Sequence, residues 1–186
     1  MGAKAFIKID KSTFLQFVAA NDEGRYEFEQ GRIVQQMTGG TQRHGRIAGR
    51  FYALLAQQVD PARWVAMFER GVDTPTTIRY ADVLVESVAE PGDSLVTATP
   101  ALIVEVLSPS SMARDLDAKP TEYLSLPTLQ AYIVASQDEP ACLIWLRDAS
   151  GHFASQPTEL RGIASVVRVP SLGVELTLDQ VYRGIC

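Results

Sequence analysis

The seven residues Ala101-Leu-Ile-Val-Glu-Val-Leu107 form an almost unbroken apolar run in which Glu105 is the one charge. A run of this length, rich in branched side chains, belongs to a strand buried on both faces of a sheet, so the chain must cover that sheet above and below. An ionised carboxylate inside such a strand is costly unless a cation or a shared proton accompanies it. The run gives way at once to Ser108-Pro-Ser110, which places Glu105 near the strand's end, where a site can form. Upstream, Tyr80-Ala-Asp-Val-Leu-Val85 reads as a second short strand broken in the same way by Asp82. Two acids on separate core strands are what a divalent metal such as magnesium needs, because hard cations take oxygen ligands from several chain segments. The plainer readings stay open: a structural Glu105 paired with an arginine, and an Asp82 that caps a turn.

The rest of the chain supplies the layers. Thr13-x-x-Gln16 reads as a capping box for a short helix through Ala20, ended by Asn21-Asp-Glu-Gly24. Arg25 to Glu29 and Arg32 to Met37 alternate as two strands, and Gln30-Gly31 supplies a tight hairpin turn. The longest helical pattern runs from about Gln42 to Val59, with Ile47, Phe51, Leu54 and Leu55 on one stripe, and Pro61 stops it. Strands follow at Trp64 to Glu69, Tyr80 to Val85 and Ala101 to Leu107, then a helix over Ala118 to Ser125 capped by Asp117. Leu129 to Ala135 and Cys142 to Leu146 are further strands; the tail adds strands near Val166 and Val174 and a helix at Leu178 to Tyr182. Helices interleaved with a mostly apolar sheet predict an α/β or α+β fold.

Composition narrows the classes. A chain of 186 residues, 46% hydrophobic and 21% charged, fits one domain over 1–186 with a substantial core. The net charge of −5 argues against adhesion to nucleic acid through overall charge, while leaving room for a local basic patch. Cys142 and Cys186 make neither a disulfide framework nor a Cys-x-x-Cys metal pair, and two free thiols suit a reducing cytoplasm. The first residues lack a signal-type apolar core, and no stretch is long enough to span a membrane.

Several segments together point to a family. Tyr26-Glu-Phe-Glu-Gln-Gly-Arg-Ile-Val34, His44 at the start of the long helix, Ala81-Asp-Val83, Glu105-Val-Leu-Ser-Pro-Ser110, and Asp115, Lys119 and Tyr123 at four-residue spacing resemble the Uma2 (DUF820) family. That family is a branch of the PD-(D/E)xK restriction-endonuclease-like superfamily, and the resemblance runs from about Thr13 to Tyr182. It implies a mixed central sheet flanked by helices, and metal-dependent phosphodiester hydrolysis with Mg2+ or Mn2+ as cofactor and DNA as partner. Asp82 matches the acid of the Pro-Asp half and Glu105 that of the (D/E)xK half, which makes these two the implied metal ligands. Ala81 replaces the usual proline at little chemical cost. Leu107 stands where the superfamily lysine would be, and Lys119 on the following helix is the natural substitute.

Other candidates carry weaker signals. Glu27, in the first hairpin strand, is either a third carboxylate of the site or a strand-surface glutamate. His44 extends the Ile47, Phe51, Leu54 stripe by one turn and so faces the sheet, as an interior histidine or as a site residue. Arg43, Arg46 and Arg50 read as a solvated helix face that could also meet phosphates. Ser108 and Ser110 lack the glycine-flanked elbow of a nucleophile. Tyr123 is expected to pack or hydrogen-bond. Because clustered carboxylates repel, Glu105→Gln is expected to leave the fold intact or to stabilise it.

Two functions fit this pattern. One is a magnesium-dependent endonuclease that uses Asp82, Glu105 and Lys119, with a homodimer compatible with it. The other is a noncatalytic module that keeps the fold for binding nucleic acid or protein. Intact metal binding through both acids separates them.

Overall fold

Asp10 starts the first helix. The computed structural model describes residues 8–21, 23–36, 40–107 and 118–185, and in it the Asp10 carboxylate accepts the Thr13 N–H at 2.8 Å and caps α1 (Lys11–Ala20). The expected Thr13 capping box is thereby corrected: an acid three residues earlier takes the Thr13 amide, so the helix begins sooner. Strands β1 (Arg25–Glu29) and β2 (Arg32–Gln36) form the expected hairpin. Its turn residues Gln30 and Gly31 both have positive φ, 50° and 92°, as a type I′ turn requires.

Helix α2 (Gln42–Gln58) is capped by the Thr41 hydroxyl, which accepts the His44 N–H at 3.0 Å. Then come β3 (Trp64–Asp73) and β4 (Thr77–Ser87), both longer than predicted. Each continues through charged residues because those residues are paired inside the protein: Arg70 with Glu86, and Arg79 with three glutamates. A two-residue β5 (Val96–Thr97) precedes β6 (Pro100–Val106). Helix α3 (Lys119–Tyr123) ends two residues before the expected Ser125, and Asp117, its expected cap, lies outside the described residues. The chain closes with β7 (Ala131–Ala135), β8 (Ala141–Leu146), β9 (Thr158–Arg161), β10 (Val166–Val169), β11 (Val174–Thr177) and α4 (Leu178–Tyr182). Sequence pattern missed β5 and β9. The first is too short to show a period, and the second is a polar edge strand held by its ladder to β8.

Strands β1 to β9 make one mixed sheet, antiparallel except where β7 runs beside β6 and β5 beside β3. Every residue of β6 and β7 is buried, as their apolar runs require. On one face α2, α4 and the β10–β11 hairpin cover the sheet, bringing Ile47, Phe51 and Leu55 against Val104, Val106 and Ile133. On the other, Tyr123, Leu126 and Leu129 pack on Ile103, Tyr132 and Trp145. A third cluster seats α1 through Phe14 on Phe28 and Ile78. At about 1.5–3 kcal/mol for each large side chain buried, these layers account for the main favourable contribution to the fold. The result is an α+β fold, a mixed central sheet flanked by helices. Cys142 is free and buried, with its thiol pKa pushed up to about 12 by that burial, so it is unreactive at neutral pH. Among the described residues no helix is long and apolar enough to cross a membrane.

Candidate active site in a gap of the sheet

Strand β4 has two edges, and one of them is shared. Along the first edge β3 pairs with it almost end to end. Along the second, β1 pairs only with Thr77 and Ile78, and β6 takes over from Val83 onward. Residues 79–82 therefore face a gap where β1 and β6 diverge, and unsatisfied backbone groups there must find side-chain partners. Glu27 of β1 enters from one side, its Oε1 accepting the Tyr80 N–H at 3.4 Å. Asp82 answers from the other, its Oδ2 accepting the Val106 N–H at 2.7 Å.

That last bond fixes the relation between the two strand-borne acids. The Asp82 carboxylate touches the peptide unit that joins Glu105 to Val106. Continuing the β4–β6 register one step beyond Val83–Val104 also sets Asp82 opposite Glu105. The two acids thus stand opposite each other on adjacent strands, where β6 ends beside the middle of β4.

Their side chains nevertheless have different surroundings, and a break in the pleat explains it. Ala81 and Leu84 both belong to the core layer under α3, whereas Val83 belongs to the layer under α2. Strict alternation would put Ala81 and Leu84 on opposite faces. Next to this step Glu69 of β3 has a φ of 48°, and such local breaks re-aim side chains at strand edges. Asp82 is turned toward the start of α2, where His44 Nε2 lies 3.2 Å from its Oδ1. Burial by itself would raise the Asp82 pKa, but the His44 hydrogen bond and charge, the Val106 N–H and the nearby Lys119 charge bring it below the usual carboxylate value. Asp82 is ionised at neutral pH.

Glu105 faces the opposite layer. Its side chain is 3% exposed, and its Oε1 receives Lys119 Nζ at 2.8 Å and the Tyr123 hydroxyl at 3.1 Å. Lys119 and Tyr123 stand one turn apart on α3, so a single helical turn presents both to one acid. Lys119 is buried, not solvated. Tyr123 is fully buried, and burial together with the Glu105 and Glu27 charges raises its pKa well above the usual value, so it stays a neutral donor. This pairing also reverses the expectation for Glu105→Gln. The acid is not repelled by neighbours but matched to a buried ammonium, and removing its charge leaves that ammonium poorly compensated.

Glu27 is buried as well, which removes the strand-surface reading. Its Oε2 accepts Gln36 Nε2 at 2.9 Å and Arg79 Nη1 at 3.2 Å. Arg79, at the floor of the gap, is the residue that sequence reading missed. Its side chain is 2% exposed and meets Glu27, Glu29 and Glu122 together. A lone arginine in a strand pattern looks like a surface residue, and its three partners are 43 to 52 positions away, so no local signal could have found it. Arg43, Arg46 and Arg50 are exposed, with Arg43 reaching Asp138, in keeping with a solvated helix face. Ser108, Ser110 and Asp115 lie outside the described residues.

The model of the Uma2 family, described as "putative restriction endonuclease", matches residues 12–179. The chain belongs to the Uma2 family. An uncharacterized protein of Synechocystis sp., slr1290, is 27% identical over 190 residues, covering 97% of this chain and 94% of that one. Among solved structures, "a putative nuclease belonging to DUF820" from Anabaena variabilis superposes with a TM-score of 0.67 at 16% identity, over 88% of this chain and 93% of its own. At that identity the likeness establishes a shared fold.

Proposed function

We propose that this Uma2 protein is a metal-dependent endonuclease that hydrolyses phosphodiester bonds in DNA, with Asp82 and Glu105 as ligands for Mg2+ or Mn2+. The observation that carries the reading is the Lys119–Glu105 contact at 2.8 Å, placed beside an Asp82 that itself touches the Glu105–Val106 peptide. Lys119 and Glu105 pair on the α3 side of the sheet, and Asp82, held by His44 on the α2 side, reaches the backbone beside Glu105.

The donor set suits a hard cation. Among the described residues no group of three or more His, Cys, Asp or Glu side chains is placed to hold an ion. Magnesium is commonly held by one or two carboxylates, completing its shell with water and substrate phosphate oxygens. Such an ion, when bound, neutralises charge on the phosphate and acidifies a water for in-line attack. The chain's own residues do the rest. Lys119 supplies a fixed positive charge where charge develops in the transition state, from a dry pocket that strengthens it. His44 and the Val106 N–H hold the Asp82 carboxylate in one orientation. Glu27 flanks the same gap as a third acid, held by Arg79.

The test is cleavage of supercoiled, linear and branched DNA, with an RNA arm, in magnesium and in manganese. It is paired with calorimetric metal titration of wild type, Asp82→Asn and Glu105→Gln. Wild-type cleavage that both substitutions abolish together with metal binding is the expected result. A chain that binds neither ion and cuts no substrate would instead be the noncatalytic module that the same fold could serve.

A further inference from the structure

Lys119 stands at the head of α3 as far as the described residues show it, next to Ala118, which has helical dihedrals and makes no side-chain cap. Tyr123 and Pro120 anchor the helix by burial, yet burial of apolar groups is non-directional and does not set the position of a lysine to within a fraction of an ångström.

A polar clamp supplies the direction. Glu122, between the two residues that meet Glu105, points the other way across the gap to β4. Arg79 grips both of its oxygens, Nε to Oε2 at 2.5 Å and Nη2 to Oε1 at 2.9 Å, and the Thr77 hydroxyl adds a third bond to Oε2 at 2.9 Å. A forked guanidinium–carboxylate pair fixes orientation as well as distance. Arg79 is itself immobilised by Glu27 and Glu29. Helix α3 is thus pinned to β4 by Glu122 and to β6 by Lys119 and Tyr123, and it bridges the gap in the sheet.

We propose that Glu122, clamped by Arg79 and Thr77, is the positioning residue that places the Lys119 ammonium against Glu105. The proposal rests on the nuclease reading for its catalytic consequence but not for its structural one. A misplacement of about 1 Å in a catalytic group can cost on the order of 10²-fold in rate, so kcat should respond to the clamp more than KM does.

Two measurements on the full chain test it. The first follows acylation of Lys119 by an amine-reactive ester, read by peptide mass spectrometry, in wild type and Glu122→Ala. Release of the clamp should raise Lys119 labelling several-fold while surface lysines stay constant; unchanged labelling would overturn the proposal. Should Glu122→Ala fail to fold, the isosteric Glu122→Gln reads the same quantity. The second is a double-mutant cycle on cleavage. Glu122→Ala should lower kcat about ten- to a hundredfold with KM little changed, and should cost nothing further once Lys119 is already Met, because both changes act through one group. Additive losses would mean that Glu122 serves the fold and not Lys119. If labelling changes in a protein that cuts nothing, the clamp stands and the nuclease reading falls; if the protein cuts and the clamp variant is neutral in both assays, the reverse holds.

Discussion

Glu105 and Asp82 sit opposite each other on neighbouring strands, where β6 ends beside the middle of β4, yet the protein treats them differently. Glu105 lies in the layer under α3, dry, against the Lys119 amine and a neutral phenol. Asp82 lies beside the start of α2, 18% exposed, against a histidine and a backbone N–H. The kink between Ala81 and Leu84 creates this difference. It teaches that a site made of two acids can fix one by a strong, buried pair and leave the other reachable. The buried pair adds little net stability while intact and is costly to break; the half-buried pair is cheap to break and tunable by pH.

The sharpest way to break this contrast is Lys119→Met. It removes the amine but keeps the stem, taking from the buried Glu105 its Lys119 partner, so stability should fall by about 3–5 kcal/mol in urea unfolding. Cleavage should fall on the order of 10²-fold or more. Adding Glu105→Gln to Lys119→Met should restore part of the stability, since an absent pair costs less than half of one. A Lys119→Met protein as stable as wild type would mean that the two acids are held alike.

His44→Ala probes the other acid and should cost less, about 0.5–1.5 kcal/mol. Its sign with pH follows from the Asp82 pKa, which is lowered from 3.8 in the folded state. The unfolded chain therefore binds the proton more readily. The Asp82 contribution is present above pH 3.8 and is lost as pH falls through the lower folded value. Stability measured down an acid series should show this loss in wild type, a smaller one in His44→Ala, and none from this group in Asp82→Asn. An unaltered acid slope in His44→Ala would shift the hold on Asp82 to the Val106 N–H. The smallest effect belongs to the exposed face of α2, where Arg50→Ala should change stability within about 0.5 kcal/mol, by thermal unfolding.

Short-range pattern encodes several of these features. The apolar run around Glu105 dictated a buried central strand, because only a two-sided core tolerates it. Gln30-Gly31 dictated the hairpin through positive φ, and the spacing from His44 to Leu55 dictated which side of α2 meets the sheet. The interrupted strands and the resemblance are what singled out Asp82, Glu105 and Lys119 as candidates. Tertiary structure decided what those residues face. That Lys119 is buried and Glu27 is not on the surface, that Arg79 gathers three glutamates, and that Glu122 clamps α3 all depend on β1 and β6 parting along one edge of β4. No local pattern announces that divergence, because it is a property of strand order and register, and the partners it joins are far apart in the chain.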